Sequence, residues 1–327
     1  MPVDVRAYRE GDEAAILDLF ARAFPHATRT REHWEWKFTR NPYGNGRISL
    51  AFDDAARLVG QYAAYCVPFR IDDRDVIAHQ VGDTMTDVSV RHIGRGPTSV
   101  FGQTALHFYK TFCEEKVVFN YGFNTGNVQK LSTRFLRSDR VEPVTYRIRD
   151  LKTLRPITRA ERLARGYRLQ LVREATSDFD ALFERVAKHY RFLVRRDAKY
   201  VQWRHLDAPD RLSFTIAIRK LGRLVGWAAF RIRDGKLTWG DALFDPRYPA
   251  ASEVLLRHVA PQYPVTAIEG WFPPRPAWFS SLLDAMHFEQ SPEPQDLALM
   301  CVPFTMPDAT ERMRESLYYT MADSDLF

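Results

Sequence analysis

The chain has 327 residues, 45% hydrophobic and 27% charged, enough for two cores at roughly 100 to 200 residues per domain and outside the range of disordered, collagen-like or disulfide-framed chains. Its 47 basic and 41 acidic residues leave a net charge of +6, spread without any block of like charges, which suits anionic ligands and argues against a nucleic-acid reader. Cys66, Cys113 and Cys301 are too far apart to draw a disulfide framework or a thiolate zinc site; no metal, a cytoplasmic setting and no membrane span are expected, since no apolar run approaches about 18 residues.

Taken in chain order, residues 3–8 alternate like a strand, and residues 12–24 carry apolar side chains at helical spacing with Asp12 near the start. A short helix over 31–38 must end before Asn41-Pro42, because a residue preceding proline is biased away from helix. Strands follow at 47–52, 58–67 and 76–85, separated by Asp-rich turns. Beyond a turn with two glycines come an amphipathic helix over 98–115, a β-rich run at 117–121, a helix over 128–136 and a strand at 144–148. Residues 152–165, with Pro156 and five basic side chains, read as a helical or irregular linker.

The plan then recurs. Leu19-Phe20 returns as Leu182-Phe183 after 163 residues, Trp36, Lys37 and Pro42 as Trp203, Arg204 and Pro209 after 167, and Arg57-Leu58-Val59-Gly60 letter for letter as residues 223–226 after 166. Three anchors in one order at nearly constant spacing indicate a duplicated domain. Expected strands of the second copy lie at 168–172, 213–218, 224–232, 236–243, 266–270 and 296–302, and its helices at 178–189, 196–205, 252–259 and 278–286. The domains are therefore read as 1–150, a linker 151–166, a second copy 167–304 and a tail 305–327.

Within the first copy, Arg91-His92-Ile93-Gly94-Arg95-Gly96 stands between a strand and the long helix. Glycines two apart let backbone N–H groups converge, and the following helix adds its positive end, so the turn suits a pyrophosphate flanked by Arg91 and Arg95. A surface turn that needs glycine only for its shape is the plainer alternative. This Arg-x-x-Gly-x-Gly at a helix start, after two helices and three strands, resembles the acyl-CoA-binding motif of the GNAT superfamily of N-acyltransferases, over residues 3–150 and more weakly 167–303. The two Trp-basic-x-x-x-x-Pro segments resemble those of tandem GNAT proteins.

That resemblance implies an α+β fold of two tandem GNAT-like domains, each a mostly antiparallel mixed sheet flanked by helices. It implies acetyl-CoA or another acyl-CoA as cosubstrate, with Arg91, Gly94, Arg95, Gly96 and Thr98 around the pyrophosphate and the pantetheine between strands splayed at 81–87 and 117–121. Asn124 and Asn127 resemble a coenzyme-contacting asparagine, and serve equally well as helix caps. The second copy has Phe244-Asp245-Pro246-Arg247-Tyr248-Pro249-Ala250-Ala251 in place of the turn; with no glycine and two prolines it lacks the donors, and is expected to shape the acceptor site without binding coenzyme.

Transfer to an amine needs a base, an oxyanion donor and an acid for the thiolate. Strand alternation places His79, Val81, Asp83 and Met85 on one face, making Asp83 or His79 the candidate base. The helix after Asn124 lacks the tyrosine that many GNAT enzymes use as acid, and Tyr121 is the candidate substitute. Trp36 and Trp203 read as core anchors; Trp239, Trp271 and Trp278 read as pocket lining or packing. In the tail, Asp323 and Asp325 either meet a cationic amine or sit on a frayed terminus. The acceptor is thus expected to be a small-molecule amine. Two other readings stay open: a donor carried on aminoacyl-tRNA or acyl-carrier protein, and a noncatalytic ligand-binding protein.

Overall fold

The computed structural model describes residues 3–327, apart from the side chain of Asn127. In chain order the first stretch comprises β1 (Asp4–Ala7), α1 (Glu13–Ala23), α2 (Arg31–Phe38), β2 (Arg47–Phe52), β3 (Leu58–Ile71), β4 (Arg74–Val81), β5 (Met85–Thr86), α3 (Val100–Phe108), β6 (Phe119–Asn124), α4 (Gly126–Phe135), β7 (Asp139–Pro143) and β8 (Tyr146–Asp150). There follow α5 (Arg159–Ala164), β9 (Tyr167–Leu171), α6 (Ser177–Val186), β10 (Phe192–Val194), α7 (Ala198–Val201), β11 (Ser213–Lys220), β12 (Arg223–Arg233), β13 (Lys236–Phe244), α8 (Ala250–Val259), β14 (Ala267–Trp271), α9 (Ala277–Ala285), β15 (Glu289–Ser291), β16 (Ala298–Pro303), α10 (Ala309–Ser316) and β17 (Leu317–Tyr318). The mixed α+β architecture is the one the resemblance implies: two mixed sheets, each flanked by helices.

These elements form two compact units, one of Met1–Pro68, Val76–Pro143 and Gln295–Arg314, the other of Phe69–Asp75, Val144–Pro294 and Glu315–Phe327. The first unit's sheet runs β1-β2-β3-β4-β6-β16-β7; the second unit's, read from its other edge, runs β9-β11-β12-β13-β14-β8-β15. The orders match position for position, with one exchange. Strand β8, inside the range read as the first domain, lies in the second unit's sheet antiparallel to β14, and β16 lies in the first unit's sheet antiparallel to β6.

Local chemistry explains the repeated elements. Helix α1 buries Ile16, Leu19, Phe20 and Ala23, and α6 buries Phe179, Leu182, Phe183 and Val186, each set along one helical stripe. Each helix then sends an arginine to the end of the sheet. Arg22 Nε donates to Asp87 at 2.7 Å and its Nη2 to the Leu58 carbonyl at 2.9 Å; Arg185 Nε donates to Asp245 at 2.9 Å and its Nη2 to the Leu224 carbonyl at 2.7 Å. The Asp87 amide meets the Val59 carbonyl, and the Asp245 amide the Val225 carbonyl, both at 2.9 Å. Trp36 and Trp203 are buried anchors.

Two expected elements end early. The long helix leaves α geometry at Phe108 and finishes as a π turn over Tyr109–Cys113, with the Glu114 amide reaching the Tyr109 carbonyl at 3.0 Å. The strand expected to reach residue 85 stops at Val81: the Gly82 amide turns to the Ala63 carbonyl at 3.1 Å, and Asp83 takes φ +50°. No helix among the described residues is long and apolar enough to cross a membrane.

Candidate active site

Two consecutive features create a cleft in the first unit. Parallel strands β4 and β6 pair only through His79 with Asn120 and Gln80 with Tyr121; past that point β4 turns away, while the other edge of β6 stays paired to β16 as far as Asn124. The pocket in this region is lined by Val81 from β4, by Asn120, Tyr121, Gly122 and Asn124 from β6, and by Ser132, Ser138, Met300 and Val302. Its apolar floor belongs to the core around Phe108, Cys113 and Val117. Tyr62 of β3 and Tyr109 of the π turn also line it, their hydroxyls 3.2 Å apart. Burial raises both phenol pKa values, so the two stay protonated donors. Residue spacing along the chain could not have found this pair, because Tyr62 and Tyr109 lie 47 residues apart and meet only through the packing of the helix on the sheet.

Next to the pocket in sequence stands the glycine turn. Gly94 and Gly96 have φ +73° and +54°, the left-handed region that favours glycine. The hydroxyl of Ser99 caps α3 by accepting from the Gly102 amide at 3.1 Å, and Thr98 Oγ1 donates to the Arg95 carbonyl at 3.0 Å. Arg91, Gly94, Arg95 and Thr98 are all exposed. The turn is thus a solvent-facing bend before a helix N-terminus, and Arg91 Nε donates to the Thr86 carbonyl at 3.0 Å.

Residues 4–130, which carry both the turn and the two diverging strands, match the family described as Acetyltransferase (GNAT) domain. Over that stretch the chain is similar to a GNAT acetyltransferase domain. Its fold extends the likeness over nearly the whole chain. A probable N-acyltransferase from Enterococcus faecalis V583 aligns over 97% of this chain and 75% of its own at TM-score 0.69 and 13% identity. A GCN5-related N-acetyltransferase from Anabaena variabilis aligns over 92% and 72% at 0.68 and 12%, and one from Kribbella flavida over 93% and 72% at 0.65 and 13%. No curated protein matches the sequence.

Within the GNAT domain the expected site residues divide. Tyr121 and Asn124 line the pocket; the side chain of Asn127 lies outside the described residues. His79 and Asp83 do not share a face, because the positive φ at Asp83 ends the alternation. His79 packs edge-on to Phe108 with Nδ1 3.8 Å from Cys113 Sγ, and burial lowers its pKa to about 4. Asp83 turns to Arg29 at 2.7 Å and Lys37 at 3.3 Å. Burial alone would raise its pKa; the cations Lys37 and Arg29 outweigh this, and the carboxyl titrates below its ordinary value.

The second unit shows what a closed version of the same cleft looks like. Strands β13 and β14 pair in parallel only as far as Thr238 with Glu269, and Trp239 then occupies the place that Val81 has in the GNAT domain, 158 residues earlier. Its indole is fully buried against Phe272 at 4.8 Å, Phe288 at 6.0 Å and Phe279 at 6.1 Å. Helix α8 starts from Pro249, without a glycine turn before it.

Proposed function

We propose that the protein transfers an acyl group, acetyl in the first instance, from acyl-CoA to a primary amine, with the thioester seated between β4 and β6 of the GNAT domain. The observation that carries this reading is the end of the β4–β6 ladder at Gln80 and Tyr121. It leaves strand polar groups available for an extended amide-bearing chain beside a bend suited to a diphosphate. Gly94, Arg95, Gly96 and Thr98 hold the phosphates at the mouth, with Arg91 adding charge. A strand amide faces the developing oxyanion. Tyr121, on the pocket wall, donates a proton to the departing thiolate, with the protonated Tyr62–Tyr109 pair adding hydroxyls to the lining above the apolar floor.

Asp83 has a different role from a base. A carboxylate already shared by two cations has little affinity for a further proton, so Asp83 orients Arg29 and Lys37, and the amine reaches the thioester neutral or loses its proton to water. The second unit takes no coenzyme, because Trp239 and its aromatic neighbours fill its cleft.

Thiol release from acetyl-CoA across a panel of primary amines tests the reading. Turnover with at least one amine is expected, and Tyr121→Phe should lower kcat by about 10²- to 10⁴-fold while acetyl-CoA affinity stays within about twofold. Absence of both acetyl-CoA binding and thiol release with every amine would overturn it.

A further inference from the structure

The two units share a second set of charges. Arg29, Lys37 and Asp83 of the GNAT domain correspond to Arg196, Arg204 and Asp241, at spacings of 167, 167 and 158 residues. The spacing of 167 is that of the two tryptophans beside them, and 158 is that of the paired Asp87 and Asp245. The central contact is the same in both: Arg29 Nη2 to Asp83 Oδ1 at 2.7 Å and Arg196 Nε to Asp241 Oδ1 at 2.7 Å.

In the second unit this set already holds a ligand, the chain's own C-terminus. Arg196 Nη2 donates to the Asp323 carboxylate at 2.6 Å and to Thr320 Oγ1 at 3.1 Å. Thr320 Oγ1 donates in turn to Asp241 at 3.0 Å. Arg204 donates to the carbonyls of Ala322 at 3.1 Å, Ser324 at 3.1 Å and Phe327 at 2.6 Å. The Phe327 ring lies where a Cβ on Gly240 would stand, at 1.9 Å. All three charged residues of the set are used, and the group facing the first arginine is a carboxylate. Far from fraying, the tail is the occupant that the second unit's charges recognise.

In the GNAT domain, Asp83 is the one carboxylate that meets Arg29 among the described residues. Arg29 sits at the end of the exposed loop between α1 and α2 with 14% of its side chain accessible. Its Nη1 meets His33 at 2.6 Å and its guanidinium lies 5.0 Å over Phe20. Its buried Nε has no partner among the described residues. Asp83, to which it is fixed, lies two residues beyond Val81 of the pocket wall.

Resting on the acyltransferase reading, we infer that the acceptor is an amine that also bears a carboxylate, an amino-acid-like molecule whose carboxylate takes the place at Arg29 that Asp323 takes at Arg196. A guanidinium prefers a carboxylate over a neutral acceptor through paired, charge-assisted hydrogen bonds. Two residues of chain reach at most about 7 Å, so the carboxylate and the reacting nitrogen belong to one small molecule.

The test compares the common L-amino acids with their amides and with the matching decarboxylated amines, in thiol release from acetyl-CoA by the intact protein. At least one amino acid should exceed its amide by about tenfold or more in kcat/KM. Arg29→Gln should erase that ratio with acetyl-CoA affinity unchanged, and Arg29→Lys should restore part of it. Because product binding needs no turnover, N-acetyl amino acids and their amides are titrated calorimetrically as well, with preference for the acids expected. Amides or simple amines used as well as the acids, a ratio surviving Arg29→Gln, or no preference among the products would overturn the inference and leave the acyltransferase reading standing. Failure of acetyl-CoA itself to bind would sink that reading instead. If Arg29→Gln does not fold, the acid-to-amide ratio of the unaltered protein still decides.

Discussion

Replacing Gly94 by alanine perturbs the turn with the least added mass. Gly94 holds φ +73°, where an L-residue pays about 1–2 kcal/mol. A Cβ there would stand 2.5 Å from the Thr98 carbonyl oxygen and 2.8 Å from its carbon, backbone atoms that move only if the whole bend moves. On the proposed reading the bend holds the coenzyme's diphosphate, so its displacement should reach ligand affinity as well as stability. Denaturant unfolding should show a loss of about 1–3 kcal/mol, and calorimetry a loss of acetyl-CoA affinity of about tenfold or more, equivalent to about 1.4 kcal/mol. Gly11→Ala supplies the control: Gly11 has φ +102°, and a Cβ there would meet nothing within 4 Å, so stability alone should fall. Wild-type affinity in Gly94→Ala, or an equal affinity loss in Gly11→Ala, would refute the reasoning.

Other outcomes follow from the same geometry. Val81→Trp, which copies the closed cleft around Trp239, should abolish acetyl-CoA binding by calorimetry while circular dichroism stays native. Burial alone would raise the pKa values of Asp87 and Asp245, but hydrogen bonds from Ser89 and Arg22 to the one, and from Arg247 and Arg185 to the other, depress both to about 2. Against an unfolded value near 3.9, each contributes about 2–3 kcal/mol that is fully present above pH ~5 and lost as pH falls through 2. Urea unfolding from pH 7 to pH 2 should show that decline, and Asp245→Asn should flatten it. Gly240→Ala should unseat Phe327 and make the C-terminus protease-sensitive, whereas a resistant tail would contradict its placement on Arg196 and Arg204.

Much of this is legible in the sequence because it is local. The Gly94–Gly96 bend, the helical stripes of α1 and α6, and the repeated Trp-basic-Pro segments each lie within a few residues and follow from backbone sterics or helical period. What escapes is set by partners distant in the chain. The exchange of β8 and β16 leaves no trace in periodicity, since a strand alternates in the same way in either sheet, and so Met300 and Val302 could not be foreseen on the pocket wall. Alternation sets Asp83 on the face of His79, and the φ of +50° at Asp83 itself breaks that alternation, a conformation uncommon for a residue other than glycine. The aromatic and acidic ending of the chain acquires its meaning only from Arg196 and Arg204, more than a hundred residues earlier.

The most direct test of the central claim is the stoichiometry of acetyl-CoA binding to the intact chain. A calorimetric titration should give one site per chain, absent in Gly94→Trp and unaltered in Trp239→Phe. Two sites, or a single site that survives Gly94→Trp, would show that the diphosphate does not rest on the glycine bend of the amino-terminal unit.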